Sequence, residues 1–143
     1  AFILDRTTKS DAPKPEKVMD GDTILKYQSL VREVLIAPPI QDYAIRLILA
    51  THPKGPYAHP LANQFIRCGA SPRGAQSLVL AAKVRALLAG RYNVSLEDVK
   101  TSYLPALRHR VLLNFEAQAE GMESDKLLKQ MMEGTAETIK EAA

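Results

Sequence analysis

Gly69-Ala70-Ser71-Pro72-Arg73-Gly74 stands directly before a long apolar, helix-forming run from Ala75 to Ala89, and this junction decides how the chain is read. Ser71 is expected to cap the helix by accepting a backbone N–H bond. Pro72 is pre-set for the first helical position, and Arg73 then projects from the first turn. Unpaired N–H groups, the positive end of the helix dipole and a guanidinium fork facing one point suit an anion, a phosphate above all. The plain alternative is a helix start that binds nothing, which the same three residues would serve.

The junction begins like a phosphate loop and then departs from one. Gly69 and Gly74 have the spacing of G-x-x-x-x-G, but Ala75-Gln76 stands where Lys-Ser/Thr would hold the β/γ-phosphates and Mg²⁺. No glycine in the chain is followed by lysine, and no run of four apolar residues ends in Asp-Glu. The chain offers a nucleotide an arginine without a cradle.

Outward from the junction, the chain reads as nearly all helical. Thr7 to Asp20, with Pro13, Pro15 and scattered charges, is expected to be an extended linker. A first helix is expected from about Asp22 to Leu35, with Ile24, Tyr27, Val31, Val34 and Leu35 on one stripe. Pro38-Pro39 starts a second, whose Ile40, Tyr43, Ala44, Leu47 and Ile48 recur at helical spacing. Both are expected to pack on the long third helix, which should stop at Gly90. Between Thr51 and Phe65 the prolines of His52-Pro53-Lys54-Gly55-Pro56-Tyr57-Ala58-His59-Pro60 forbid a continuous helix, and a surface excursion is expected. Ser95 caps a fourth helix with Glu97 and Asp98 in its first turn, which Pro105 is expected to break or kink. A last helix spans about Ser124 to Met132, burying Leu127, Leu128 and Met131, and from Gly134 the chain is expected either to fray or to carry an order of its own.

At 143 residues and 46% hydrophobic, the chain is sized for one compact globular core. No apolar stretch approaches membrane-spanning length, and the opening Ala-Phe-Ile-Leu-Asp-Arg has neither the basic n-region nor the cleavage site expected of a leader. A start at Ala1 is expected of a piece cut from a longer chain. The single cysteine, Cys68, has no internal disulfide partner, which favours a cytoplasmic location. The net charge of +3 is unevenly spread. Arg67 to Arg110 carries eight Lys/Arg against two acids, whereas from Val111 onward three Lys face seven acids. A basic middle suits nucleic acid. It has few aromatic residues for base stacking, and Leu80, Val84 and Leu88 make its helix apolar on most faces, so nucleic acid is disfavoured.

His52, His59 and Cys68 raise a metal site, but their separations match no compact ligand motif, so none is expected. Glu97 and Asp98, as helical neighbours, point to different faces and make no acid/base pair. Nothing in the sequence brings a nucleophile beside a base.

From about Arg6 to Glu133 the sequence resembles the C-terminal helical lid of a MoxR-family AAA+ ATPase. The resemblance is carried by Tyr27-Gln28-Ser29-Leu30-Val31-Arg32, Asp42-Tyr43-Ala44-Ile45-Arg46-Leu47, Gly69-Ala70-Ser71-Pro72-Arg73 and Ala81-Ala82-Lys83-Val84-Arg85-Ala86-Leu87-Leu88. It continues through Gly90-Arg91-Tyr92-Asn93-Val94, Glu97-Asp98-Val99, Leu104-Pro105-Ala106-Leu107-Arg108-His109-Arg110 and Asn114-Phe115-Glu116-Ala117, in order over nearly the whole chain.

The resemblance implies an all-α fold, a small helical bundle of about five to six helices behind an extended N-terminal linker. Residues 1–20 would end a preceding ATPase core, 21–133 form the lid, and 134–143 a tail. It implies that Arg73 is the sensor 2 arginine, acting with Ser71 and Pro72 on the phosphate side of a nucleotide. ATP and Mg²⁺ would be cofactors of the parent protein, held by its core, and this chain alone would be inactive and bind neither. The implied partners are that core, the neighbouring protomer of a hexameric ring, and a von Willebrand factor A domain protein, in a chaperone-like machine. Arg108-His109-Arg110 is a hallmark of the resemblance. It is either a helix end whose cations complement the dipole or a contact with core or neighbour. Two other classes stay open: a nucleic-acid-binding helical module, and a helical interaction scaffold without a nucleotide.

Overall fold

The computed structural model describes Ile3, Leu4, Thr8 and residues 16–137. The chain divides into two units, Ala1–Leu30 and Val31–Ala143. Within the first, residues 16–20 are exposed and form neither helix nor strand, and Thr8 is helical with its hydroxyl donating to the Leu4 carbonyl at 2.6 Å. The rest of the expected linker lies outside the described residues, as does the tail from residue 138. Asp20 opens the first helix, α1 (Gly21–Glu33), by accepting the Thr23 N–H at 2.7 Å, and hydrogen bonding from the Thr23 side chain first and its backbone second lowers the Asp20 carboxyl pKa.

Of the apolar stripe expected on the first helix, the residues within α1 are not buried, Ile24 and Tyr27 standing 45% and 54% exposed, whereas Val34, just past its end, is buried. Periodicity specifies a helix but not its partner. Burial begins after α1 ends, at Val34, where the chain leaves helical geometry and Leu35 bridges Asn93.

The core of the second unit is built by α2 (Pro38–Ala50), α4 (Pro72–Leu88), α5 (Leu96–Leu107) and α7 (Ser124–Gly134), with the short helices α3 (Pro60–Phe65) and α6 (Phe115–Ala119) at its edge. Helix α4 buries Gly74, Leu78, Ala82 and Ala86, one row at a spacing of four. Small side chains in that row let α5 approach closely with Val99, Tyr103, Ala106 and Leu107. Helix α2 adds Tyr43, Ala44, Leu47 and Ile48, and α7 adds Leu127, Leu128 and Met131. Gly90 ends α4 at φ 72°, the left-handed residue that its C-terminus needs.

Of the break or kink expected at Pro105, the break does not occur. Helix α5 does not stop at Pro105 but runs on to Leu107. The proline stands on the exposed side of the last turn, where water can serve the carbonyl it deprives, while Ala106 and Leu107 continue the buried row. The segment after α7 is fastened through its last described residue: Arg46 donates to the Glu137 carbonyl at 2.7 Å, and the Lys100 ammonium pairs with the Glu137 carboxylate.

The helical reading also omitted a small antiparallel sheet, β1 (Ile66–Cys68) with β2 (Leu112–Leu113), in register Ile66 to Leu113 and Cys68 to Leu112. It fixes the chain entering α4 beside the chain leaving α5. That pairing positions the site.

Candidate functional site

The start of α4 is held from below by the end of α2. Thr51, fully buried, donates its hydroxyl to the Ile48 carbonyl at 2.7 Å and accepts the Ala70 N–H at 3.0 Å. His52 Nε2 lies 2.8 Å from the Ala70 carbonyl, so both polar groups of that buried residue are engaged. Gly69 is required here: a Cβ would lie 2.5 Å from the Thr51 carbonyl oxygen. The excursion after α2 is therefore the clip that sets where the Ser71-Pro72-Arg73 turn begins.

The three residues expected at the site are contiguous and exposed, at the N-terminal turn of a helix of 17 residues. Pro72 occupies the first turn as expected. The capping expectation for Ser71 is corrected. It stands at the cap position with extended backbone, but its side chain makes no capping bond. The Gly74 N–H that it would serve is taken at 2.7 Å by the Ser71 carbonyl in a tight i to i+3 bond. Arg73 points outward, and no described acid pairs with it. An exposed first turn, the positive dipole end and an uncommitted guanidinium share this corner.

Arg110 reaches the same turn from α5. Its Nε donates to the Ala106 carbonyl at 3.0 Å and its Nη2 to Ser77 Oγ at 3.1 Å, while the Ser77 hydroxyl donates to the Arg73 carbonyl at 2.9 Å. The bond to Ala106 is the helix-end complement that the cationic run suggested. Arg108 turns elsewhere, pairing with Asp125 on α7 at 3.0 Å, and His109 is exposed. Sequence reasoning missed Thr51, His52 and Ser77, and gave Arg110 no partner. The signal for Arg110 was the cationic run itself; a lone Thr before a His carries none.

Three of the eight cations in the basic middle are paired: Arg91 with Asp98, Lys100 with Glu137, and Arg108 with Asp125. Asp125 and Glu137, from the acidic C-terminal part, thus neutralise two cations of the basic middle. His52 and His59 each engage backbone, His59 Nδ1 accepting the Leu61 N–H at 3.2 Å. Among the described residues no group of three or more His, Cys, Asp or Glu is arranged to hold a metal ion. Beside the first two turns of α4 lies an open groove of about 550 Å³, walled by Ile45, Val79 and Leu80 and rimmed by Arg32 and Lys83. No helix among the described residues is long and apolar enough to cross a membrane.

The AAA lid domain family matches residues 59–131, about half of the chain. The chain belongs to that family, as the lid of a MoxR-type AAA+ ATPase. It is 24% identical to the chaperone MoxR1 of Mycobacterium tuberculosis over 87% of its own length and 33% of that protein. It is 35% identical to the protein MoxR of Methylorubrum extorquens over 67% of its length and 29% of that protein. The crystal structure of a presumed ATPase from Cytophaga hutchinsonii superposes with a TM-score of 0.82 at 26% identity, over 97% of this chain and 42% of that one. The chain thus spans about a third of the length of the curated relatives it matches.

Proposed function

We propose that this chain is the nucleotide-responsive lid of a parent protein that binds ATP with Mg²⁺ and hydrolyses it, and that Arg73 is its sensor 2 arginine. The carrying observation is the exposed, unpaired Arg73 on the first turn of α4, a turn held by Thr51 and His52. A guanidinium on a fixed backbone stabilises charge on a transferred phosphoryl group, and its departure after hydrolysis changes the lid angle. Ser71 and Pro72 shape the phosphate-facing corner. The cradle for the β/γ-phosphates and the Mg²⁺ ligands belong to the parent's core.

The open groove beside α4 suits contact with that core, or with a neighbouring protomer in a hexameric ring. The naming of relatives as chaperone and MoxR supports a chaperone-like machine; a cytoplasmic location and a von Willebrand factor A domain partner belong to the same proposal. Residues 21–133 would be the lid proper, preceded by the linker from the core and followed by a tail.

Steady-state ATPase kinetics of the full-length parent test the reading. Arg73→Ala is expected to lower kcat by roughly a hundredfold or more, as loss of a donor to developing charge does elsewhere. The melting of this chain should hardly change, because an exposed arginine without a buried partner is worth under about 0.5 kcal/mol. Unchanged turnover would mean that Arg73 does not sense the nucleotide.

A further inference from the structure

We infer that Arg110 is a positioning residue for Arg73, acting through the Ser77 hydroxyl. The inference rests on the reading of Arg73 given above. A serine hydroxyl has one proton and two lone pairs. Ser77 gives its proton to the Arg73 carbonyl at 2.9 Å, leaving its lone pairs to accept from Arg110 Nη2 at 3.1 Å. The line from guanidinium to hydroxyl to carbonyl runs in one direction, and each bond polarises the next.

The other end of Arg110 is anchored as firmly. Its Nε holds the Ala106 carbonyl at 3.0 Å, one residue before the end of α5. Packing follows the same line: a Cβ on Gly74 would lie 3.2 Å from Leu107 Cδ2 and 3.6 Å from Arg110 Cδ, so the first turn of α4 sits directly on the end of α5. Turning α4 about its axis, or sliding it, breaks the Ser77 bridge and lifts Gly74 from its seat. Arg110 is half-buried while Arg73 is exposed. One arginine is built to hold and the other to reach. The precision matters because a misplacement of about 1 Å can cost on the order of a hundredfold in rate.

The test is an epistasis experiment on the full-length parent ATPase, reading kcat and KM for ATP separately in Arg110→Gln, Ser77→Ala, Arg73→Ala and both double variants. Arg110→Gln and Ser77→Ala are expected to lower kcat about 5- to 20-fold with little change in KM, and neither should lower it further in the Arg73→Ala background. Arg110→Lys, which can satisfy Ser77 or Ala106 but not both at once, should recover part of the loss. A role in stability alone would lower kcat by the same factor whether or not Arg73 is present, and that result would overturn the inference. Normal kcat in Arg110→Gln beside a crippled Arg73→Ala would overturn it and leave the reading of Arg73 standing. Normal kcat in Arg73→Ala would overturn both. If Arg110→Gln does not fold, Ser77→Ala carries the same comparison, since it removes only the bridging hydroxyl.

Discussion

Thr51 and Ala70 face each other across 3.0 Å with no solvent at either, the Ala70 N–H donating to the Thr51 hydroxyl. Nineteen residues separate them, and the bond closes the whole excursion from the end of α2 to the start of α4. Thr51→Val keeps the shape and removes the acceptor, so a buried N–H is left unpaired at a cost of about 1–3 kcal/mol. Thr51→Ser should retain most of the stability. Urea denaturation of the chain measures both; equal midpoints for Thr51→Val and the unsubstituted chain would mean that this bond does not hold the turn.

The two serines at helix starts are expected to behave differently. Ser95 accepts the Asp98 N–H at 3.3 Å while the Asp98 carboxylate accepts the Ser95 N–H at 2.8 Å, a reciprocal capping box. Ser95→Ala should cost about 1 kcal/mol. Ser71 makes no capping bond, so Ser71→Ala should cost under about 0.5 kcal/mol. Thermal melts of the two variants decide the matter, and a larger loss at position 71 would contradict the bonding described here.

That contrast shows what was legible in the sequence. Local rules worked where the partner is local. Ser95 with Asp98 three residues on, Pro38-Pro39 at a helix start and Gly90 at a helix end each act within one turn, and each element falls where expected. The row Leu127, Leu128 and Met131 was readable as a buried face for the same reason. Ser71 has the composition of a cap, but the tight Ser71 to Gly74 backbone bond takes the N–H first. The support of the site was not legible. Thr51 to Ala70 and Ser77 to Arg110 join residues 19 and 33 positions apart, and α3 and the small sheet are too short to leave a periodic trace. The exposed stripe of α1 failed for a related reason: spacing reports a helix face, not what covers it.

Acid should test the Arg91–Asp98 pair. Arg91 donates to both Asp98 oxygens at 2.8 Å, and this bond, with help from the Ser95 amide and hydroxyl, holds the carboxyl at about 2 against an ordinary value of 3.8. The folded pKa lies below the unfolded one, so the contribution is fully present above pH 3.8 and is lost as pH falls towards 2. Because Arg91 is partly open to solvent, its size should be about 1–2 kcal/mol, short of the full linkage value. Urea titrations between those limits should show a shallower acid loss for Asp98→Asn than for the unsubstituted chain. Parallel losses would mean that the pair does not set the acid limb.

Nucleic-acid binding can be judged from how the cations are spent. Arg91, Lys100 and Arg108 each pair with an acid, Asp98, Glu137 and Asp125 respectively, and Arg110 is committed to Ala106 and Ser77. Four of the eight cations of the basic middle are thus engaged within the chain, which lowers the number left to release counterions from a duplex. Duplex DNA should therefore bind only at the non-specific level, with Kd roughly 10⁻⁴–10⁻⁶ M at physiological salt. Removing the Glu137 and Asp125 carboxylates by substitution to Gln and Asn frees Lys100 and Arg108. If pairing is what suppresses binding, that double variant should bind more tightly than the unsubstituted chain and lose affinity more steeply with salt, by up to about one further power of salt for each phosphate newly contacted. Fluorescence anisotropy across a salt series reads both quantities. Sub-micromolar binding by the unsubstituted chain at physiological salt would instead mark this domain as a nucleic-acid module, with the basic middle as its contact surface.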